Sequence, residues 1–112
     1  MGHIAIRLKP AAMNNPDLDI RYRLPDLVNE QTNGRIRDDG YDYASETDNT
    51  LIVYLSCDTP AADVQEVIRI LREHEVCGNR VLDSAVIGIS KDTNEFEIVH
   101  PSNGGKFTVR DW

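Results

Sequence analysis

Residues 51–75 read LIVYLSCDTPAADVQEVIRILREHE, and their reading decides the fold. Leu51-Ile52-Val53-Tyr54-Leu55 is apolar on both faces of an extended chain, the pattern of a strand with neighbours above and below, so it predicts a central strand. Thr59-Pro60 then sets up a helix. A threonine suits the N-cap, and proline suits the first helical position, where its missing N–H costs nothing. Val64, Val67, Ile68 and Leu71 recur at i, i+3, i+4 and i+7, which lines up one apolar stripe. Asp63 and Glu66 fall early while Arg69, Arg72 and His74 fall late, in accord with the helix dipole. Gly78-Asn79 supplies a stop. The segment therefore predicts a strand followed by a helix over residues 60–75.

Working outward, alternation assigns the other strands. In residues 3–9, Ile4, Ile6 and Leu8 share one face and His3, Arg7 and Lys9 the other. Residues 17–24 alternate in the same way, with Leu18, Ile20, Tyr22 and Leu24 inward and Asp17, Asp19, Arg21 and Arg23 outward. A short helix is expected from Pro25 to about Asn33-Gly34, with Leu24, Leu27 and Val28 toward the core. Between Ile36 and the pair Tyr41 and Tyr43 the phase of alternation switches. A bulge or tight turn at Asp39-Gly40 is therefore expected, since glycine reaches positive φ cheaply. Downstream, residues 85–89 and 95–99 read as strands joined by a turn at Lys91-Asp92-Thr93-Asn94, and residues 106–110 as an edge strand.

From residue 17 the order is strand, helix, strand, strand, helix, strand. That βαββαβ order resembles the ferredoxin-like fold over residues 17–90. The resemblance implies an α+β domain with a mostly antiparallel sheet and two helices packed on one face. Residues 3–9 and the tail would then be extra N- and C-terminal strands. It is a resemblance of element order, and the fold hosts enzymes, sensors and binding domains alike. With 112 residues and no linker or repeat, the chain reads as a single α+β domain, residues 1–112.

Composition bounds the function. The formal charge is −7, and it is unevenly spread: residues 1–37 carry a net +2 and residues 38–112 a net −9. An acidic protein repels phosphate backbones, which argues against general nucleic-acid binding, although six Lys/Arg near the N-terminus could form a local basic patch. No run approaches the ~20 apolar residues that span a bilayer, so no membrane partner is expected and the cytoplasm is the default location. Cys57 and Cys77 are placed at opposite ends of the long helix, ~25 Å apart at 1.5 Å per residue, too far for an intrachain disulfide. Two unpaired thiols fit a reducing compartment.

The densest polar feature is the acidic stretch Asp38, Asp39, Asp42, Glu46 and Asp48, with Tyr41 and Tyr43 interleaved. Carboxylates steer a basic partner at long range, and aromatic rings anchor it on contact. Asp38, Asp39, Tyr41, Asp42, Tyr43 and Glu46 are the candidate partner-binding residues. In size and charge the chain resembles bacterial immunity proteins, which implies a non-enzymatic inhibitor of a basic partner. The competing readings are a solvated turn and a Ca²⁺ or Mg²⁺ site; EF-hand spacing is absent. On an unbroken strand Asp38 and Asp42 would share a face.

The alternative function is a ferredoxin-like small-molecule or sensor domain, dimeric through an edge strand. A third is a small enzyme using Cys57 or the carboxylates. Cys57 precedes the helix N-terminus, where dipole and free N–H groups would lower a thiol's pKa. His74 lies at the far end of that helix, which leaves His100 as the base for such an enzyme. Metal spacings such as Cys-x-x-Cys and His-x-His are missing, and Ser102-Asn103-Gly104-Gly105-Lys106 lacks phosphate-loop spacing, so no cofactor is expected. Trp112, the single tryptophan, is expected to pack or to anchor an interface.

Overall fold

The computed structural model of the chain describes residues 2–8, 19–45, 50–76, 78–83, 85–90, 95–100 and 106–108. In chain order the elements are β1 (Gly2–Leu8), α1 (Ile20–Gln31), β2 (Arg37–Ser45), β3 (Thr50–Cys57), α2 (Pro60–Glu73), a 3₁₀ turn (Val81–Asp83), β4 (Val86–Ser90), β5 (Glu95–His100) and β6 (Lys106–Thr108). They build an α+β fold with one sheet of strand order β2-β3-β1-β4-β5-β6. Every neighbouring pair is antiparallel.

The apolar run at 51–55 becomes β3, held between β2 and β1. Its two faces enter two different cores. Leu51, Val53 and Leu55 join the main cluster, while Ile52 joins Ala5 and Phe96 in a second one on the other side of the sheet. All four are fully buried, which is what a strand without a polar face requires. The main cluster also takes Ile20, Leu24 and Val28 from α1 and Val64, Val67, Ile68, Ile70 and Leu71 from α2, so both helices pack on the same side. The i, i+3, i+4, i+7 stripe of α2 is buried as its spacing predicts.

Two expectations about the N-terminal half need correction. Residues 20–24 are not a strand: α1 begins at Ile20 and runs through Pro25 to Gln31. Ile20, Leu24 and Val28, spaced by four, make the buried stripe, and Tyr22 falls on the outer side of the helix. Pro25 lacks the N–H that would donate to the Arg21 carbonyl, a cost that α1 offsets by burying its apolar side. Asp17 and Leu18 lie outside the described residues. The helix ends where Asn33-Gly34 indicates, with both residues at positive φ (53° and 82°). There Thr32 caps the turn, its hydroxyl donating to the Val28 carbonyl at 2.8 Å and accepting from Ile36 N–H at 3.2 Å.

The second correction concerns β1, which is an interior strand and not an added one. Ile4 faces Leu55 on one side and Ile89 on the other, and the same double pairing holds along residues 3–7. At its start, Gly2 lies against the Pro60 ring so closely that any Cβ would overlap it. The C-terminal additions are β5 and β6, with β6 at the sheet edge as the tail's alternation indicates. Trp112, Cys77, the turn at 91–94 and the glycine-rich 101–105 lie outside the described residues.

Candidate functional site

β2 is the other edge of the sheet, and it carries the acidic, tyrosine-bearing stretch. The phase switch read from the sequence is a β-bulge. Asp38 is opposite Leu55 and Tyr41 is opposite Val53, so Asp39 and Gly40 together face one residue of β3. Gly40 has φ 92°, and its N–H donates to the Asp38 Oδ1 at 2.9 Å, closing a small turn. A second irregularity falls between Tyr43 and Ser45.

The bulge redistributes the predicted residues. Asp38 pairs with Leu55 and Asp42 with Ile52, and those two β3 residues belong to cores on opposite sides of the sheet. Asp38 and Asp42 therefore occupy register positions on different faces, contrary to an unbroken alternation. Tyr41 (opposite Val53) and Tyr43 (opposite Leu51) take positions on the helix side. Asp39 comes within 3.4 Å of His3 Nδ1, an ion-pair distance without hydrogen-bond alignment. Glu46 and Asp48 lie outside the described residues.

The structure adds a residue that sequence reasoning placed inside. Tyr22 of α1 meets Tyr41 of β2 edge to face, with ring centroids 5.9 Å apart and planes at 88°. Among the described residues these are the two exposed large hydrophobic side chains, at 48% and 40% of full exposure. The Arg21 guanidinium carbon sits 4.8 Å from the Tyr22 ring centroid and 5.4 Å from that of Tyr41, within cation–π range of both. A hydrogen bond with Tyr41, then the hydrogen bond and charge of Arg21, hold the Tyr22 phenol below its ordinary pKa, while Asp19 acts in the opposite sense. The α1–β2 corner thus combines two exposed aromatic rings, a guanidinium and the exposed Asp19, with the exposed Asp38 on the same face of β2 and the exposed Asp39, beside His3, on the other. The signal for Tyr22 was the spacing of Ile20, Leu24 and Val28, which leaves position 22 outward on a helix.

Cys57 behaves oppositely to the helix-terminus argument. Its thiol is fully buried at the end of β3, and burial pushes its pKa up to about 11. Asp63 adds to the rise through its charge and a hydrogen bond, and Asp58 adds further, against a smaller lowering by Arg37. The local dipole loses to desolvation, and the thiol stays protonated at neutral pH. His100, the base considered for it, holds the Leu82 carbonyl at 3.0 Å through Nε2, and His74 is the C-cap of α2.

Asp63 is the polar residue that sequence reading underrated. It is 4% exposed in the first turn of α2. Its Oδ2 accepts from both the backbone N–H and the hydroxyl of Thr59, each at 3.2 Å, and its Oδ1 pairs with Arg35 Nε at 3.2 Å. Thr59 is the N-cap, as expected, yet its hydroxyl makes no cap hydrogen bond. The aspartate reaches back instead, as the acidic member of a capping box does. This pair ties the start of α2 to the segment between α1 and β2. It is structural.

Among the described residues, no three His, Cys, Asp or Glu side chains are grouped closely enough to hold a metal ion, and no helix is long and apolar enough to cross a membrane. Comparison with protein-family models, with curated proteins and with solved structures finds no match to this chain. The site's chemistry must be read from its own residues.

Proposed function

We propose that the chain is a non-enzymatic protein-binding domain whose α1–β2 corner engages a basic partner, in the manner of an immunity-type inhibitor. The observation that carries the reading is the exposed Tyr22–Tyr41 pair, whose Tyr41 shares β2 with the exposed Asp38 and Asp39. Exposed aromatic rings are the side chains that most often anchor an interface, and a ring of charge around them steers the encounter. The net charge of −7 adds long-range attraction for a basic surface. Tyr41 and Asp38 supply the centre, and Asp39 adds its charge from the other face of the bulge. Asp42 and Tyr43 follow on the same strand, and Glu46 is kept as a candidate by its place in the sequence.

Homodimerisation through this edge is the weaker reading. Two copies of β2 would bring like charges together, and the bulges interrupt the row of backbone groups that a second strand would need. In topology, β1 to β4 with the two helices form a βαββαβ unit of strand order β2-β3-β1-β4, which we read as a ferredoxin-like unit extended by β5 and β6. An immunity-type role further implies a bacterial, cytoplasmic protein.

The test is affinity capture from the source cell's lysate with two baits, wild type and D38N/D39N/D42N, at low and moderate salt. The expected result is a basic protein retained by wild type, released by salt and lost by the triple variant. Equal retention by both baits, with equal salt dependence, overturns the reading.

A further inference from the structure

The geometry of the corner points to a more specific chemistry. The Tyr22 and Tyr41 rings stand at 88° to one another, forming two walls of a right-angled recess rather than a flat stack. A cation that lies within 6 Å of both centroids is attracted by both quadrupoles at once. Arg21 occupies that position now, at 4.8 and 5.4 Å. Its presence shows that a planar guanidinium fits between the two rings.

The surroundings favour a cation as well. Asp19, at the start of α1, acts electrostatically on the Tyr22 phenol. On the β2 side, Asp38 takes a register position on the same face as Tyr41, since Leu55 and Val53 both belong to the helix-side core. The Asp38 Oδ1 is held by Gly40 N–H, which fixes the carboxylate against the bulge. Asp19, Asp38, Tyr22 and Tyr41 are all exposed, so an incoming side chain can reach them.

We propose that the Tyr22–Tyr41 recess is a receptor for an arginine side chain of the partner, and that Arg21 is its internal stand-in, displaced when the partner docks. This rests on the basic-partner reading and names the group that the partner must present. Arginine fits better than lysine because the recess already accommodates a flat, delocalised cation, which stacks on aromatic faces as a compact ammonium does not. The role of Arg21 follows from the same geometry. In the free protein it shields the two rings, and it competes with any second guanidinium.

The probe is a short acetylated and amidated peptide carrying two arginines, with its citrulline counterpart, which keeps the shape and removes the charge. Binding is followed by the NMR resonances of the Tyr22 and Tyr41 rings, with melting temperature as a control for folding. The arginine peptide is expected to shift both rings and the citrulline peptide to shift neither. Arg21→Ala should tighten binding about two- to fivefold, the range an exposed cation–π contact covers. Tyr41→Leu, at an exposed position, should abolish the ring-centred binding without unfolding the protein. Equal shifts from citrulline, no ring shifts, or an Arg21→Ala variant that binds no better would each overturn the inference. Should the peptide follow the charges of Asp38, Asp39 and Asp42 and ignore Tyr41→Leu and Arg21→Ala, the recess fails while the basic-partner reading stands. Equal capture by wild type and the triple variant removes that reading itself.

Discussion

Replacing Asp63 with alanine should cost far more stability than any other single charge removal at the surface-facing end of α2. The carboxylate is 4% exposed and accepts from two Thr59 groups at 3.2 Å while pairing with Arg35. A hydrogen bond to a charged group contributes about 1.5–3 kcal/mol, and Thr59 faces solvent, so water recovers part of each loss. The Arg35 contact is worth less again, because that side chain is 54% exposed and such pairs contribute about 0–1 kcal/mol. The sum places Asp63→Ala at about 2–4 kcal/mol and Arg35→Ala at about 1 kcal/mol or below. Asp63→Asn, which keeps an acceptor, should fall between them. Urea unfolding followed by circular dichroism measures this directly. With a slope of about 1–3 kcal/mol per molar, the alanine variant should lower the midpoint by roughly 1 M or more. The double variant should show a coupling of less than about 1 kcal/mol. A cost below 1 kcal/mol for Asp63→Ala, or an equal cost for Arg35→Ala, would refute the assignment of Asp63 as the brace of the helix start.

Two further expectations follow from burial. Leu24→Ala should destabilise by about 2–5 kcal/mol, whereas Tyr22→Ala should leave the melting temperature nearly unchanged; comparable losses at both would return residues 20–24 to an inward-alternating strand. Raising the pH from about 9 to 11 should weaken the fold through Cys57. In this window the unfolded thiol ionises and the folded one, with its pKa near 11, keeps its proton, so the folded state binds more protons and stability falls as pH rises. The loss reaches roughly 2–3 kcal/mol at 1.36 kcal/mol per pKa unit, and subtraction of a Cys57→Ala variant's pH profile isolates it. A wild-type profile that parallels the variant's would show that the buried thiol is not the group responsible.

How far the sequence could be read depended on whether a local pattern had a rival. The stripe of α2 had none, because Val64, Val67, Ile68 and Leu71 fit a helical period and no strand period. The bulge at Asp39-Gly40 was legible too, since a change of phase between Ile36 and Tyr41 has few physical causes. Residues 17–24 had a rival. Their charges and apolar groups alternate with period two, yet Ile20, Leu24 and Val28 are also spaced for a helix, and Pro25 suits a first helical position as well as an interior one with an apolar side to bury. Packing against the sheet overrode both local signals. The same mistake hid Tyr22 from the candidate site. Asp63 and Cys57 were misjudged for a different reason. Their behaviour depends on how deeply the end of β3 and the start of α2 are buried, and on Arg35 arriving from a distant segment, neither of which a neighbouring residue announces.

The position of β1 has a consequence for how the chain reaches this state. Ile4 is zipped to Leu55 on one flank and to Ile89 on the other. During synthesis β1 therefore emerges before either partner, and its second flank stays open until β4 has left the ribosome. Such distant pairing is slow to close and exposes apolar ribbon meanwhile. The edges of the sheet are β2 and β6, but its middle is assembled from segments more than eighty residues apart, such as Ile4 and Ile89.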